Sequence, residues 1–271
     1  MSAHDLQDIA RDIAARAGEL VRDRRREGVS VAATKSSPED IVTAADRESE
    51  QLIRDLIVRA RPHDGILGEE GGGTAGSSGI TWVVDPIDGT VNYLYGLPDY
   101  AVSIGVVEGD PDPATWSPLA AAVYAPARDL MYTASQGGGA FRGTKQIHVN
   151  TAVNPRVALV GTGFGYDPER RVRQAAIVTE LIAEVRDIRR MGSAAIDLCR
   201  VGDGCLDGFF GVGLNPWDMA AGALVASEAG ARVGGLRGAP ATASMTLLAE
   251  PRLFAFLEAK LEGLGADRIL D

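Results

Sequence analysis

The segment WVVDPIDGTVN at 82–92 places two carboxylates, Asp85 and Asp88, at the end of an apolar run. Two carboxylates held this close repel each other unless they are protonated, hydrogen-bonded or neutralised by a cation. Pro86 removes a backbone donor between them, and Gly89 permits a conformation that a Cβ would resist. Asp, Pro and Gly also make ordinary turns, so this segment alone reads equally well as a turn or as a site. Three more carboxylates stand near predicted element ends: Glu69 and Glu70 after ILG and ahead of a glycine-rich stretch, and Asp218 behind Trp217 in a first helical turn. Each has a plain structural explanation. Glu69 and Glu70 can be a solvated loop, and Asp218 faces the positive end of a helix dipole. Together, however, they form an oxygen-only donor set. His4, His63 and His148 are scattered without metal-ligand spacing, and Cys199 and Cys205 are the only cysteines. Oxygen donors of this kind suit magnesium, and several converging carboxylates suit phosphoryl chemistry.

Other motifs carry no chemistry. The glycines of GTGFGY miss the dinucleotide spacing, no phosphate-cradling G-x-x-x-x-G-K-[ST] loop occurs, and no serine stands in G-x-S-x-G. The glycines at 137–139 read as a hairpin turn.

The elements that must position these residues are helices and strands interleaved, without a repeat or a long linker. Leu6, Ile9, Ile13 and Leu20 share one face of a first helix, whose basic end RDRRREG reads as solvated. Thr43 and Asp46 have N-cap and N3 spacing for a second helix with a core face of Leu52, Ile53, Leu56, Ile57 and Ala60. The runs YAVSIGVVEG, LAAAVYAP and LMYTASQGGGAF predict antiparallel strands joined by short turns. After the strand VALVGTGFGY, Asp167 and Pro168 start a helix carrying Val172, Ala176, Leu181, Ile182 and Val185. The remaining segments read as helix, strand and helix, the last capped by Asn215 with Pro216 at N1 and Gly230 past its end.

With 271 residues, the chain can form one large domain or two subdomains sharing an interface. An excess of acidic residues (37 against 27 basic, formal charge −10) argues against general nucleic-acid binding. The same charge means that an anionic substrate needs positive charge from elsewhere. No run reaches membrane-span length, the N-terminus lacks a signal-like apolar core, and two cysteines make no disulfide framework. A cytoplasmic protein is expected.

Four segments, KSSPEDIVTAAD (35–46), GEE (68–70), WVVDPIDGTVN (82–92) and PWDMAAGALVASEAGARV (216–233), stand in the order of one known pattern. A fifth, RRMGSAAIDLC (189–199), joins them. On these motifs the chain resembles the inositol monophosphatase family, the magnesium-dependent, lithium-sensitive phosphatases, particularly its actinobacterial inositol-1-monophosphatases. The resemblance implies an α/β fold, a five-layer αβαβα sandwich. It also implies an N-terminal subdomain (residues 1–150) carrying the main ligands, a C-terminal subdomain (residues 151–271) contributing Asp218, and a homodimer.

By that resemblance, Glu69, Asp85, the Ile87 carbonyl, Asp88 and Asp218 would ligate about two to three magnesium ions. Gly89 and Thr90 would offer backbone amides to the phosphate, and Thr90 with Asp46 would orient the attacking water, assisted by Glu69. Gly192, Ser193 and Ala194 would lie against the substrate's hydroxyls, and Lys35 near a third metal. One position departs from the pattern: where many members carry a ring-binding glutamate seven residues before Asp218, this chain has Gly211. The expected reaction is hydrolysis of a small phosphate monoester, myo-inositol-1-phosphate first, with histidinol phosphate or a range of sugar phosphates as alternatives. A role of another class, as protein partner in a transcription complex on ribosomal RNA operons, is implied by some relatives; neither direct nucleic-acid binding nor a membrane is expected.

Overall fold

The apolar alternation in the first half of the chain lays down a sheet with two covered faces. The structure, a computed structural model, describes residues 1–29, 31–34 and 41–270. After α1 (Ala3–Glu27), a short antiparallel pair, β1 (Val31–Thr34) and β2 (Ile41–Thr43), leads into α2 (Ala44–Ala60). Then come β3 (Gly65–Gly68), β4 (Gly72–Thr74), β5 (Ile80–Asp88) and the short α3 (Thr90–Tyr95). They are followed by β6 (Ala101–Glu108), β7 (Ser117–Ala125), β8 (Leu130–Ser135), β9 (Gly139–Arg142) and β10 (Lys145–Gln146). These strands form an eight-stranded sheet in the order β10-β9-β8-β7-β6-β5-β3-β4, antiparallel except for β3 beside β5. The second half holds β11 (Leu159–Thr162), α4 (Pro168–Leu181), β12 (Asp187–Arg189), α5 (Ala194–Gly202) and β13 (Gly208–Gly211). It ends with α6 (Pro216–Glu228), β14 (Arg232–Gly234), β15 (Thr246–Ala249) and α7 (Pro251–Gly263). Its sheet has five strands in the order β12-β11-β13-β15-β14.

The packing of alternate residues builds the layers. Ala120, Ala122 and Tyr124 of β7, with Trp82, Val84 and Ile104, pack on α1 and α2 through Leu6, Ile13, Ala17, Ile53 and Ile57. The intervening Ala121, Val123 and Ala125 face the other way, onto Ala195, Ile196 and Cys199 of α5 and Ala221, Leu224 and Val225 of α6. On their far side α5 and α6 meet Phe209 and Leu248 of the five-stranded sheet. That sheet's outer face, Val160, Phe210, Leu247 and Ala249, packs on α4 and α7 through Ile177, Leu181, Leu253, Phe254 and Leu257. The result is the five-layer αβαβα sandwich expected from the resemblance.

Because α6 lies between the two sheets, it is apolar around most of its circumference. Its small residues let it approach closely: a Cβ on Gly105 of β6 would stand 2.6 Å from the Ala220 Cβ. No helix among the described residues is long and apolar enough to cross a membrane.

Three sequence expectations need correction. On α4, Val172, Ala176 and Ile182 are exposed, while Gln174, Ile177 and Leu181 are buried with Val185 just beyond; the outer face of the sheet meets the helix along that other stripe. Ala60, at the last turn of α2, is exposed beyond the edge of the packed face. In the basic run, Arg26 is exposed but Arg22, Arg24 and Arg25 are half-buried, because α2 and α3 pack beside that helix end. Arg24 pairs with Glu48 of α2 at 2.6 Å, and the Tyr93 hydroxyl donates to the Val21 carbonyl. Cys199 is buried and Cys205 exposed, both as free thiols.

Candidate active site

Side chains on a regular strand alternate faces, so Asp85 and Asp88, three positions apart, would point in opposite directions. The ladder prevents this. Asp85 pairs with Ser103 of β6 and Asp88 with Ala101, so three steps on β5 oppose two on β6. This is a β-bulge at Pro86, which has no amide to give the ladder. The extra residue brings both carboxylates to one face, the face on which α6 lies; Ser103 Oγ donates to the Trp217 carbonyl of α6 at 3.4 Å.

Asp218 arrives from α6. It occupies N3 of a capping box, with the Asn215 amide donating to its Oδ2 at 2.7 Å. One carboxylate oxygen from each of Asp85, Asp88 and Asp218 lies within 4.8 Å of the others. Glu69 joins from the end of β3, where its amide donates to the Val84 carbonyl at 3.2 Å and its carboxyl group hydrogen-bonds Asp85. Burial, followed by the charges of Glu69, Asp88 and Asp218, pushes the Asp85 carboxyl well above the usual range.

Asp88 has donors of its own. Ser193 Oγ and the Ala195 amide, the latter at 2.7 Å, both reach its Oδ2. Burial nevertheless raises its pKa to about 6, against the lowering effect of those bonds, the Ala194 amide and Arg190. Ser193 is also the N-cap of α5, so one hydroxyl fixes both that helix and the ligand candidate. The Ser193 side chain and the Ala194 and Ala195 amides are therefore directed at Asp88.

Gly89 turns the chain from β5 into α3 at φ +90°, in the left-handed region. A Cβ there would also stand 2.9 Å from the Asp99 carbonyl and 3.1 Å from that of Gly192. Next to it, Thr90 Oγ1 lies 3.2 Å from Asp46 Oδ1 and 3.0 Å from the Ile87 carbonyl. Asp46 is buried at N3 of α2, where Thr43 donates to it through both amide and hydroxyl. Burial raises its pKa to about 6, the Thr43 bonds oppose the rise, and Glu70 and Glu69 add to it.

The structure thus brings Asp46, Glu69, Asp85, Ile87, Asp88, Gly89, Thr90, Gly192, Ser193, Ala194 and Asp218 to one region. Lys35 lies outside the described residues. Gly211 ends β13 opposite Thr246, with a Cβ direction leading to the Phe209 ring at 3.1 Å and to Leu214 at 3.3 Å.

Two supporting residues escaped the sequence reading. Glu50 of α2 is buried and accepts from the Glu70 and Gly71 amides at 2.8 Å each, with Arg54 beside it, so it shapes the loop after Glu69. A Cβ on Gly68 would fall 2.5 Å from the Glu50 carboxylate, which accounts for glycine there. Asn92 donates to the carbonyls of Asp99 at 2.7 Å and Met191 at 2.8 Å, joining α3 to the 190s loop. Glu50 had a visible signal, since Ser49 and Glu50 interrupt the apolar stripe of α2 with polar residues. Asn92 had none, because its partners are distant in sequence.

The donor set fits a divalent cation on its chemistry. All the convergent atoms are oxygens, and among the described residues no lysine or arginine lies within ion-pair distance of Asp85 or Asp88. Buried carboxylates without a compensating charge are costly, and a hard cation held by oxygen ligands removes that cost.

Comparison with known proteins agrees with this geometry. A family model described as "Inositol monophosphatase family" matches residues 2–263. The inositol-1-monophosphatase of Mycobacterium bovis is 46% identical over 246 residues, covering 84% of this chain and 83% of that protein. The protein called Nus factor SuhB in Escherichia coli K12 is 37% identical over 238 residues, covering 87% of this chain and 86% of its own. Among solved structures, Mycobacterium tuberculosis SuhB has a TM-score of 0.83 at 38% identity, covering 98% of this chain and 99% of that one.

Proposed function

The chain belongs to the inositol monophosphatase family, a family of phosphatases, and from that premise we propose that it hydrolyses small phosphate monoesters with magnesium, accepting myo-inositol-1-phosphate. The observation that carries this reading is the bulge at Pro86, which sets Asp85 and Asp88 on one face beside Asp218. In the proposal Glu69, Asp85, the Ile87 carbonyl, Asp88 and Asp218 hold about two to three magnesium ions. Bound there, the ions supply positive charge that offsets the repulsion between an acidic site and a phosphate dianion and stabilise the leaving oxygen.

The chain's own groups do the rest. The amides of Gly89 and Thr90 bind phosphate oxygens, and the crowding around Gly89 fixes that turn before substrate arrives. Asp46 accepts the Thr90 hydroxyl proton, which leaves Thr90 Oγ1 free to accept a hydrogen bond from the attacking water. With a pKa near 6, Asp46 can take up a proton passed through Thr90 as water adds to phosphorus. Glu69 would assist in orienting that water. The ester P–O bond breaks, the alcohol leaves with a proton from solvent, and no covalent intermediate forms on the protein. The N-terminal subdomain, up to residue 150, would supply Glu69 through Thr90, and the C-terminal one would supply Asp218, with the substrate between them.

Gly211 bears on the alcohol. Without a carboxylate there to accept bonds from ring hydroxyls, selectivity for inositol rests on fewer contacts, and other small monoesters, histidinol phosphate among them, compete. A magnesium-dependent phosphate-release screen tests the reading. It would compare inositol-1-phosphate, histidinol phosphate, fructose-1,6-bisphosphate, a nucleotide 2′-phosphate and glycerol-2-phosphate, and release from none of them would defeat the proposal. The same membership carries a homodimer, checked by light scattering, and lithium inhibition at subsaturating magnesium. The name of the E. coli relative motivates a second reading, a non-catalytic protein partner in transcription. A catalytically dead Asp88→Asn protein that still performs the cellular role would favour it.

A further inference from the structure

Behind the candidate site runs a chain of buried charges. Arg200 of α5 donates through Nη2 to Asp99 Oδ1 and through Nη1 to Asp197 Oδ1 at 3.1 Å. All three side chains are largely sequestered, at 12%, 14% and 2% exposure, so these bonds are little diluted by solvent. Arg128 adds a second, more exposed contact to Asp99 at 3.3 Å. Asp99 matters because of its backbone. Its carbonyl accepts the Asn92 amide at 2.7 Å and abuts Gly89, where a Cβ would come within 2.9 Å. At the other end, Asp197 lies one turn along α5 from Ser193, whose hydroxyl donates to Asp88.

We propose that Arg200 is a positioning residue: by clamping Asp99 to α5 it holds the Gly89–Asn92 turn in register with Ser193 and Asp88. The circuit closes on itself, from Asp88 through Ser193, α5, Asp197, Arg200 and Asp99 to Asn92 and Gly89. Each link is a hydrogen bond or a backbone contact of the kind described above. Arg200 touches neither substrate nor reacting atoms. Its planar fork sends a different nitrogen to each of two carboxylates from different segments, a spread of donors that the compact ammonium of lysine does not reproduce. The effect on catalysis rests on the phosphatase reading of the site. The effect on the turn does not.

The test therefore has two arms. In Arg200→Met, amide hydrogen exchange within 89–93 should quicken at least tenfold in the absence of added metal or substrate, with 119–125 of β7 unchanged. Phosphate release from inositol-1-phosphate should fall at least twentyfold in kcat/KM, and Arg200→Lys, which keeps one charged bond, should recover at least threefold of that loss. Unchanged exchange at 89–93, or equal loosening of β7, would overturn the proposal, as would Arg200→Lys no better than Arg200→Met. Should Arg200→Met fail to fold, Asp99→Asn, which retains the carbonyl and weakens the clamp, must show the same local exchange. A wild-type protein that releases no phosphate while the exchange responds would refute the phosphatase reading and leave the clamp standing.

Discussion

Asp64 and Asp85 stand at opposite ends of the paired strands β3 and β5, both buried, in opposite company. Asp64 accepts from Arg61 Nε at 2.7 Å and Nη2 at 2.9 Å, from Ser78 Oγ at 2.7 Å and from Trp82 Nε1 at 2.9 Å. Burial works to raise its pKa, but the bonds from Arg61, Ser78 and Trp82 outweigh burial and hold it below 3.8. Asp85 has instead Glu69, Asp88 and Asp218 around it, and its pKa goes far the other way. One sheet thus shows how this chain satisfies a buried carboxylate when the purpose is structure. At the other end, among the described residues, no basic side chain pairs with Asp85 and more acid gathers around it. The proposed magnesium would supply, from outside the chain, the positive charge that the described neighbours of Asp85 do not.

The largest effect on that contrast is expected from Asp88→Asn, which removes a ligand charge at almost constant volume. Phosphate release should fall at least a thousandfold, about 4 kcal/mol of transition-state stabilisation. Activity within tenfold of wild type at saturating magnesium would remove Asp88 from the site. Glu69→Gln should lose activity comparably, since Glu69 is proposed to serve both metal and water.

Next comes Asp64→Asn, which leaves Arg61 facing a neutral amide. Removing one member of a buried pair costs about 3 kcal/mol, measurable by urea unfolding near pH 7. The pH dependence has a definite sign. A carboxylate whose folded pKa lies below its unfolded value stabilises fully above the unfolded pKa, and that stability is lost as pH falls through the folded one. The gap between wild type and Asp64→Asn should therefore be constant above about pH 5 and close below the ordinary value of 3.8. A gap that widened on acidification would contradict the pairing.

Asp85→Asn should do the reverse of Asp64→Asn. In chelator it removes a repelling charge from among three other acids, so the metal-free protein should gain about 1.5 kcal/mol. Added magnesium should raise the melting temperature of wild type, as any ligand of the native state does, and leave the variant's unmoved. Destabilisation of Asp85→Asn in chelator equal to that of Asp64→Asn would erase the distinction between the two ends of the sheet.

Much of this site was legible before any coordinates. The run DPIDGT, the cap–proline–aspartate order of Asn215, Pro216 and Asp218, and the absence of histidine ligands all pointed to oxygen chemistry at element ends. The shared face of Asp85 and Asp88 was not legible, since strand alternation alone assigns them to opposite faces and only the ladder reveals the bulge. The α4 stripe was misread because Val172 and Ile182 are apolar yet exposed, and no local pattern says which side a sheet will cover. The layers themselves came from family likeness; periodicity supplies elements, not their stacking. Asn92 and Arg200 were invisible as supports because groups they hold belong to segments remote in the chain.

The contrast has a third term, a place where a carboxylate is absent. At Gly211 no positive φ forbids a side chain, so the obstacle to glutamate is space alone: the Phe209 ring and Leu214 must yield by a few tenths of an ångström. A charged hydrogen bond to a substrate hydroxyl contributes about 1.5–3 kcal/mol. Repacking against Phe209 takes back some of that, leaving about 1 kcal/mol, or roughly fivefold. Gly211→Glu should thus raise the ratio of kcat/KM for inositol-1-phosphate over glycerol-2-phosphate by about fivefold. It should leave the glycerol-2-phosphate rate near wild type, because the phosphate end is untouched. The ratio is the decisive quantity, since a general loss of packing lowers both rates together. A wild-type protein already preferring inositol-1-phosphate by more than about a hundredfold, close to 2.7 kcal/mol, would show that the ring is read elsewhere. The Asn215 side chain, three residues before Asp218, would then be the first residue to substitute.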